Sequence, residues 1–238
     1  EIVFSGAFPN RCRSYSLKRT AMDPASYARG MFEKYWAHWG GSINGGVQTA
    51  AVPDTIDPIV VTTSRPLVEI IRPLNKWSNN VMARHMVFAL AGSKYPPPLT
   101  RERGVEVMFD YLQSKGIETK DLVIDNGSGL SRTSRVSAKL MTDLLRLAHA
   151  HPLMPEFISS LSLNGIDGTT RRRFRGRPQM GRMHLKTGRL DGVAAIAGYV
   201  LASSGKLYSV VMLGNYANIH QGAGIAIQNA LLKWVYDQ

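Results

Sequence analysis

The 238 residues carry a formal net charge of +12, with 44% hydrophobic and 19% charged residues. That balance excludes a disordered chain and suits one large core, or a core with a small satellite. No apolar run reaches the roughly 18–20 residues of a membrane helix, and the lone Cys12 excludes an internal disulfide and reads as a small hydrophobe.

The first helix spans about Asp23 to Trp39. Asp23 is its N-cap, Pro24 occupies the first helical position and Gly40-Gly41 ends it. Met31, Phe32, Tyr35, Trp36 and Trp39 recur at three- and four-residue spacings, which predicts one buried stripe. Extended chain follows over Ile43–Val52 and Ile59–Thr63, interrupted by Pro53 and Pro58.

A short helix opens at Ser64-Arg65-Pro66-Leu67 and runs to about Leu74, and a second runs from near Ser78 to Gly92. Pro96-Pro97-Pro98 is a linker before a helix between Thr100 and Ser114. Leu122-Val123-Ile124 reads as a short strand, Ser137 caps a helix ending near Ala150, and a shorter helix lies around Pro155–Leu161. Met183–Thr187, Val193–Ala202 and Leu207–Leu213 then read as consecutive strands, the last two joined by a Ser203-Ser204-Gly205 turn. A final helix covers about Ile219–Tyr236. Strands bracketed by helices predict an α+β fold, an antiparallel sheet covered by helices.

Three segments carry the chemistry. Lys76-Trp77-Ser78-Asn79-Asn80 sets a hydroxyl and an amide at the start of a helix, suited to moving a proton and gripping a peptide carbonyl. Asp125-Asn126-Gly127-Ser128-Gly129-Leu130-Ser131-Arg132 is the second. Lys186-Thr187-Gly188, introduced by Gly165-Ile166-Asp167-Gly168-Thr169, is the third. On an edge strand, its ammonium and hydroxyl attract a carboxylate while the glycine admits substrate backbone.

In these stretches, and in Ala197-Gly198-Tyr199-Val200, the chain resembles the S13 family of D-alanyl-D-alanine carboxypeptidases, the low-molecular-mass class C penicillin-binding proteins. The resemblance implies a serine β-lactamase/transpeptidase-like fold and a serine acyl-enzyme acting on D-Ala-D-Ala ends and crosslinks of peptidoglycan stem peptides. It implies β-lactam binding, a periplasmic location, and no metal or other cofactor. Ser78 would relay a proton to the leaving amine, and Asn80 would hold the substrate amide. Lys186 and Thr187 would bind the terminal carboxylate, and Gly188 would keep the strand open. Arg189 stands where the family usually has threonine or serine; it would add a second cation or point to solvent.

The family's nucleophile is the serine of a Ser-x-x-Lys pair on a helix. Of the ten lysines only Lys206 has a serine or threonine three residues before it, Ser203, and that pair falls in a predicted turn. The reading is therefore a C-terminal portion of the penicillin-binding domain, residues 1–238, inactive alone, with residues 1–20 a remnant of a junction with inserted domains. Two alternatives stand beside it: a β-lactamase-like acyl-serine hydrolase, and a non-enzymatic basic module binding cell wall or nucleic acid. The run Arg171-Arg172-Arg173-Phe174-Arg175-Gly176-Arg177 is what the last would use. No nucleic-acid partner is expected. The histidines, His149 and His151 among them, show no metal-ligand spacing.

Overall fold

The computed structural model describes residues 3, 5–7, 20, 22–53 and 55–238. Cys12 and most of residues 1–20 lie outside them. The chain divides into two compact units, Glu1–Thr62 and Thr63–Gln238.

In the first unit, helix α1 covers Pro24–His38. Asp23 caps it by accepting a hydrogen bond from the Ser26 amide at 3.0 Å. The expected burial of its apolar stripe does not occur: Phe32, Tyr35 and Trp39 are 52%, 55% and 75% exposed. Among the described residues this unit has no second helix or strand to cover them, because residues 43–53 and 59–62 run without ladder partners. The rings stack on each other instead, Phe32 on Trp36 at 5.7 Å and Tyr35 on Trp39 at 6.3 Å.

The second unit opens with two helices longer or shorter than the sequence suggests. Helix α2 is Leu67–Trp77, and α3 is Asn80–Gly92. Asn79, not Ser78, caps α3, accepting from the Met82 amide at 3.0 Å. Helix α4 (Arg101–Ser114) is capped by Thr100 and α5 (Ala138–Ala150) by Ser137, whose hydroxyl accepts from the Leu140 amide at 3.1 Å. Each such cap is worth about 1 kcal/mol. The strand expected at Leu122–Ile124 reduces to a single bridge between Val123 and Arg135. The chain beyond it curls around Asn126 instead. That side chain accepts from the Ser128 amide at 3.0 Å and donates to the Leu130 carbonyl at 3.1 Å, bonds that displace a ladder.

Helix α6 (Met154–Ser160) leads into the sheet: β1 (Ser162–Leu163), β2 (Met183–Leu190), β3 (Val193–Leu201) and β4 (Leu207–Asn215). All pairings are antiparallel in the order β1-β2-β3-β4. Asp191-Gly192 turns β2 into β3, with Gly192 at φ +72°, as a two-residue hairpin requires. Helix α7 (Ala223–Tyr236) starts four residues later than expected, after a 3₁₀ turn at Ile219–Gln221.

Helices cover both faces of the sheet. On one, Met183, Leu185, Ile196 and Val200 meet Leu232 and Val235 of α7. On the other, Ala197 and Tyr199 meet Leu145 and Leu161, and the Tyr199 hydroxyl donates to the Leu145 carbonyl at 2.5 Å. Burial pushes that phenol up to about 12. This two-sided burial explains why β3 reads as a near-continuous apolar run. Gly198 sits where a Cβ would lie 2.0 Å from the His184 carbonyl oxygen, so β2 and β3 close only around a glycine. The structure is thus the expected antiparallel sheet flanked by helices.

Leu232 is fully buried between α7 and the sheet. Leu232→Ala should cost about 2–5 kcal/mol in urea unfolding; a loss under about 1 kcal/mol would mean that this face repacks freely.

Candidate active site

Ser78 lies in the joint between α2 and α3, not on a helix. It is the C-cap of α2, in the left-handed region at φ 52° and ψ 52°, a conformation uncommon for a residue with a Cβ. Its amide caps the Leu74 carbonyl, and Asn79 then starts the next helix. The kink turns the Ser78 side chain toward β2, where Lys186 Nζ donates to Ser78 Oγ at 2.5 Å.

Lys186 also donates to the Thr187 carbonyl at 3.0 Å. Burial holds its ammonium below the ordinary lysine range. Among the described residues no carboxylate pairs with it. Thr187 brings its hydroxyl within 2.9 Å of Thr169, which is in turn 3.3 Å from the Ser162 hydroxyl. β1 pairs only with His184 and Leu185, so from Lys186 onward β2 is an edge strand, with Gly188 and Arg189 exposed along it.

Lys76 holds the joint in place. At the end of α2 its ammonium meets Asp167 Oδ2 at 2.5 Å and the Leu161 carbonyl at 3.0 Å. Asp167 Oδ1 accepts from the Leu163 amide at 2.8 Å, tying the pair to β1. The Lys76 carbonyl accepts from Ser162 Oγ at 3.2 Å. Gly168, at φ +58°, packs against this knot: a Cβ there would stand 2.3 Å from Ser162 Oγ and 2.7 Å from the Lys76 carbonyl oxygen.

The structure therefore brings together Ser78, Lys186 and Thr187. Asn80, the first residue of α3, is exposed two positions beyond Ser78. Sequence reasoning missed Lys76, Ser162, Asp167 and Thr169 as parts of the site. Their signal was present: Lys76 stands two residues before Ser78, and Asp167 and Thr169 belong to the Gly-Ile-Asp-Gly-Thr stretch that introduces Lys186. Ser203 and Lys206 lie in the loop between β3 and β4, where the Ala202 amide donates to the Lys206 carbonyl at 2.9 Å, and they form no helical pair. Among the described residues no group of three or more His, Cys, Asp or Glu side chains is placed to hold a metal ion.

The family model described as "D-Ala-D-Ala carboxypeptidase 3 (S13) family" matches residues 1–238. The chain belongs to the S13 family. Among S13 relatives, a D-alanyl-D-alanine carboxypeptidase of an Actinomadura strain is 33% identical over 97% of this chain and 44% of its own length. The carboxypeptidase DacB of Haemophilus influenzae is 24% identical over 88% of this chain and 44% of its own. The crystal structure of penicillin binding protein 4 from the same organism matches with a TM-score of 0.79, at 24% identity over 91% of this chain and 50% of that one. A class A β-lactamase from Bacteroides cellulosilyticus matches with a TM-score of 0.54 at 18% identity, over 72% of this chain and 62% of that one. The S13 chain thus has the serine β-lactamase/transpeptidase-like fold and spans about half the length of the curated relatives it matches.

Asp167→Asn strips Lys76 of its counter-charge and should lower stability by about 1–3 kcal/mol. It should also loosen Ser78, read as faster exchange of the Asn79 amide; unchanged exchange would remove Lys76 from the control of Ser78. Lys186 is a folding penalty while charged, because its folded-state value lies below the ordinary 10.5. Stability should climb as pH rises through the folded value and level off near the ordinary one. Lys186→Met should abolish that climb and raise the urea midpoint at pH 7; a lowered midpoint would mean that its hydrogen bonds outweigh burial.

Proposed function

We propose that the protein is a serine-type D-alanyl-D-alanine carboxypeptidase/endopeptidase, periplasmic, acting on peptidoglycan stem peptides through an acyl-enzyme and acylated by β-lactams. One observation carries the reading: Lys186 is a half-buried cation without a carboxylate partner among the described residues, set at an open strand edge against Ser78. Such a charge is neutralised at little cost by a carboxylate that a substrate brings with it.

In this reading the substrate lies along β2 as an added strand, and its backbone pairs with the free edge beyond Lys186. Its terminal carboxylate meets Lys186 and Thr187, whose hydroxyl is oriented by Thr169. Gly188 leaves the strand open to it. Asn80 holds the substrate amide. Ser78, hydrogen-bonded to Lys186, passes a proton to the departing amine. Arg189 lies exposed further along β2, one face with Thr187 by strand alternation, and adds positive charge at the mouth.

The nucleophile is a serine followed three residues later by lysine, contributed by a part of the protein outside these 238 residues. No metal takes part. Names of relatives support the substrate class: three are called carboxypeptidases of the D-alanyl-D-alanine or DacB type, and the Haemophilus protein has been crystallised in complex with a β-lactam.

A fluorescent penicillin offered to this chain, and to one extended at its N-terminus, should label only the longer one. The adduct should map by peptide mass to an upstream Ser-x-x-Lys serine. In the longer chain Lys186→Ala should slow acylation about ten- to a hundredfold, the loss of one charge-assisted carboxylate contact. Labelling of the 238-residue chain would place the nucleophile within it, and unchanged acylation by the variant would remove Lys186 from the carboxylate site.

A further inference from the structure

Ser162, Thr169 and Thr187 line up their hydroxyls from the interior to the open edge of β2. At the inner end Ser162 is fully buried, with its Oγ 3.2 Å from the Lys76 carbonyl oxygen and 3.2 Å from the Thr169 amide nitrogen. Thr169 Oγ1 lies 3.3 Å from Ser162 Oγ and 2.9 Å from Thr187 Oγ1. Either member of each hydroxyl pair could donate to the other, so the direction of the row has to come from its fixed ends.

A hydroxyl has one hydrogen and two lone pairs. A carbonyl only accepts, so the bond between Ser162 and Lys76 uses the Ser162 hydrogen. Ser162 Oγ in turn accepts from the Thr169 amide. Ser162 therefore has no hydrogen left for Thr169. The Thr169 hydrogen has two acceptors to choose from. Thr187 at 2.9 Å is within the usual O–H···O range, and Ser162 at 3.3 Å is beyond it. Thr169 thus donates outward to Thr187. Thr187 Oγ1 is occupied as an acceptor on that side, and among the described residues it has no other side-chain partner. Its own hydrogen is left for the cleft. Lys186 is in a similar position, since two of its three ammonium hydrogens are spent on Ser78 Oγ and the Thr187 carbonyl.

We propose that Thr169 is a positioning residue for anion recognition. Backed by Ser162, it donates to Thr187 and so turns the Thr187 hydrogen outward, where it joins the remaining Lys186 hydrogen on the two oxygens of a ligand carboxylate. With the opposite polarity Thr187 would meet that carboxylate with lone pairs and repel it. This role rests on the carboxylate reading of Lys186 and Thr187, and adds to it the residue that decides whether Thr187 donates.

The test uses the chain extended at its N-terminus and compares acylation by a penicillin with acylation by the methyl ester of its carboxylate. The free acid should react faster. Thr169→Val removes the hydroxyl and should shrink that preference about three- to tenfold while leaving acylation by the ester unchanged. Thr169 is exposed, so the variant should melt as the parent does. Thr169→Ser returns the hydroxyl and should return the preference. A full preference in Thr169→Val, or a preference lost equally in Thr169→Ser, would overturn the role of Thr169 alone. So would an equal fall with acid and ester, which marks a merely structural residue. Equal acylation of the unaltered chain by acid and ester, or none by either, would overturn the carboxylate reading and the role of Thr169 with it.

Discussion

The position of Ser78 depends on an ion pair that takes no part in the proposed chemistry. Lys76 ends α2 by reaching Asp167 and the Leu161 carbonyl, while its own carbonyl receives Ser162. Helix, 3₁₀ turn and the start of the sheet are thereby fastened at one point. Two residues later the chain can hold a left-handed serine, because α2 on one side is fixed to β1 and α3 on the other is a capped helix. The same knot admits no side chain at residue 168 and presents Thr169 to Thr187. A strained conformation persists only where its surroundings over-determine it, and here two strand residues, one turn and one lysine do so.

The second constraint is the shortness of β1. Two residues of pairing close β2 as far as Leu185 and then stop. A longer β1 would consume the edge along Lys186, Thr187 and Gly188, and no peptide could be added there. On its other side β2 pairs with β3 throughout, around a glycine at 198 that lets the strands approach. The edge is therefore rigid on one side and open on the other, which suits a surface meant to receive an extended chain.

Local signals made much of this legible. Ser137 and Thr100 announce their helices through side chains that can cap, and the alternation of strand and turn residues from Met183 onward marks the sheet. The grouping of Ser78 with Lys186 was readable only through the motif set, since 108 residues separate them in the chain. The features that escaped depend on tertiary context. The left-handed joint at Ser78 leaves no mark that distinguishes it from a helix start, because Asn79 serves equally well as a cap. A two-residue β1 is too short for any periodicity to register. The aromatic stripe of α1 has the spacing of a buried face, but spacing states that a face is apolar and not what covers it. Lys76 stood at the head of the Ser78 segment, but its structural role escaped because its partner Asp167 lies 91 residues away.

The fates of the cations bear on the large positive charge. Lys76 is matched by Asp167 and serves the architecture. Lys186, half-buried, has no carboxylate partner among the described residues and is set at an open edge. A protein that keeps an unmatched, half-buried ammonium gives up stability there, and the loss is recovered only when a ligand brings the missing charge. Arg173 is drawn in as well: burial lowers its pKa, one terminal nitrogen donates to Gln228, and the other has no acceptor among the described residues. Surface lysines and arginines scattered for solubility would be solvated and individually indifferent. These two are neither. Charge placed where the fold does not neutralise it is the physical form that specificity for an anion takes, and Lys186, at the open edge of β2, has that form.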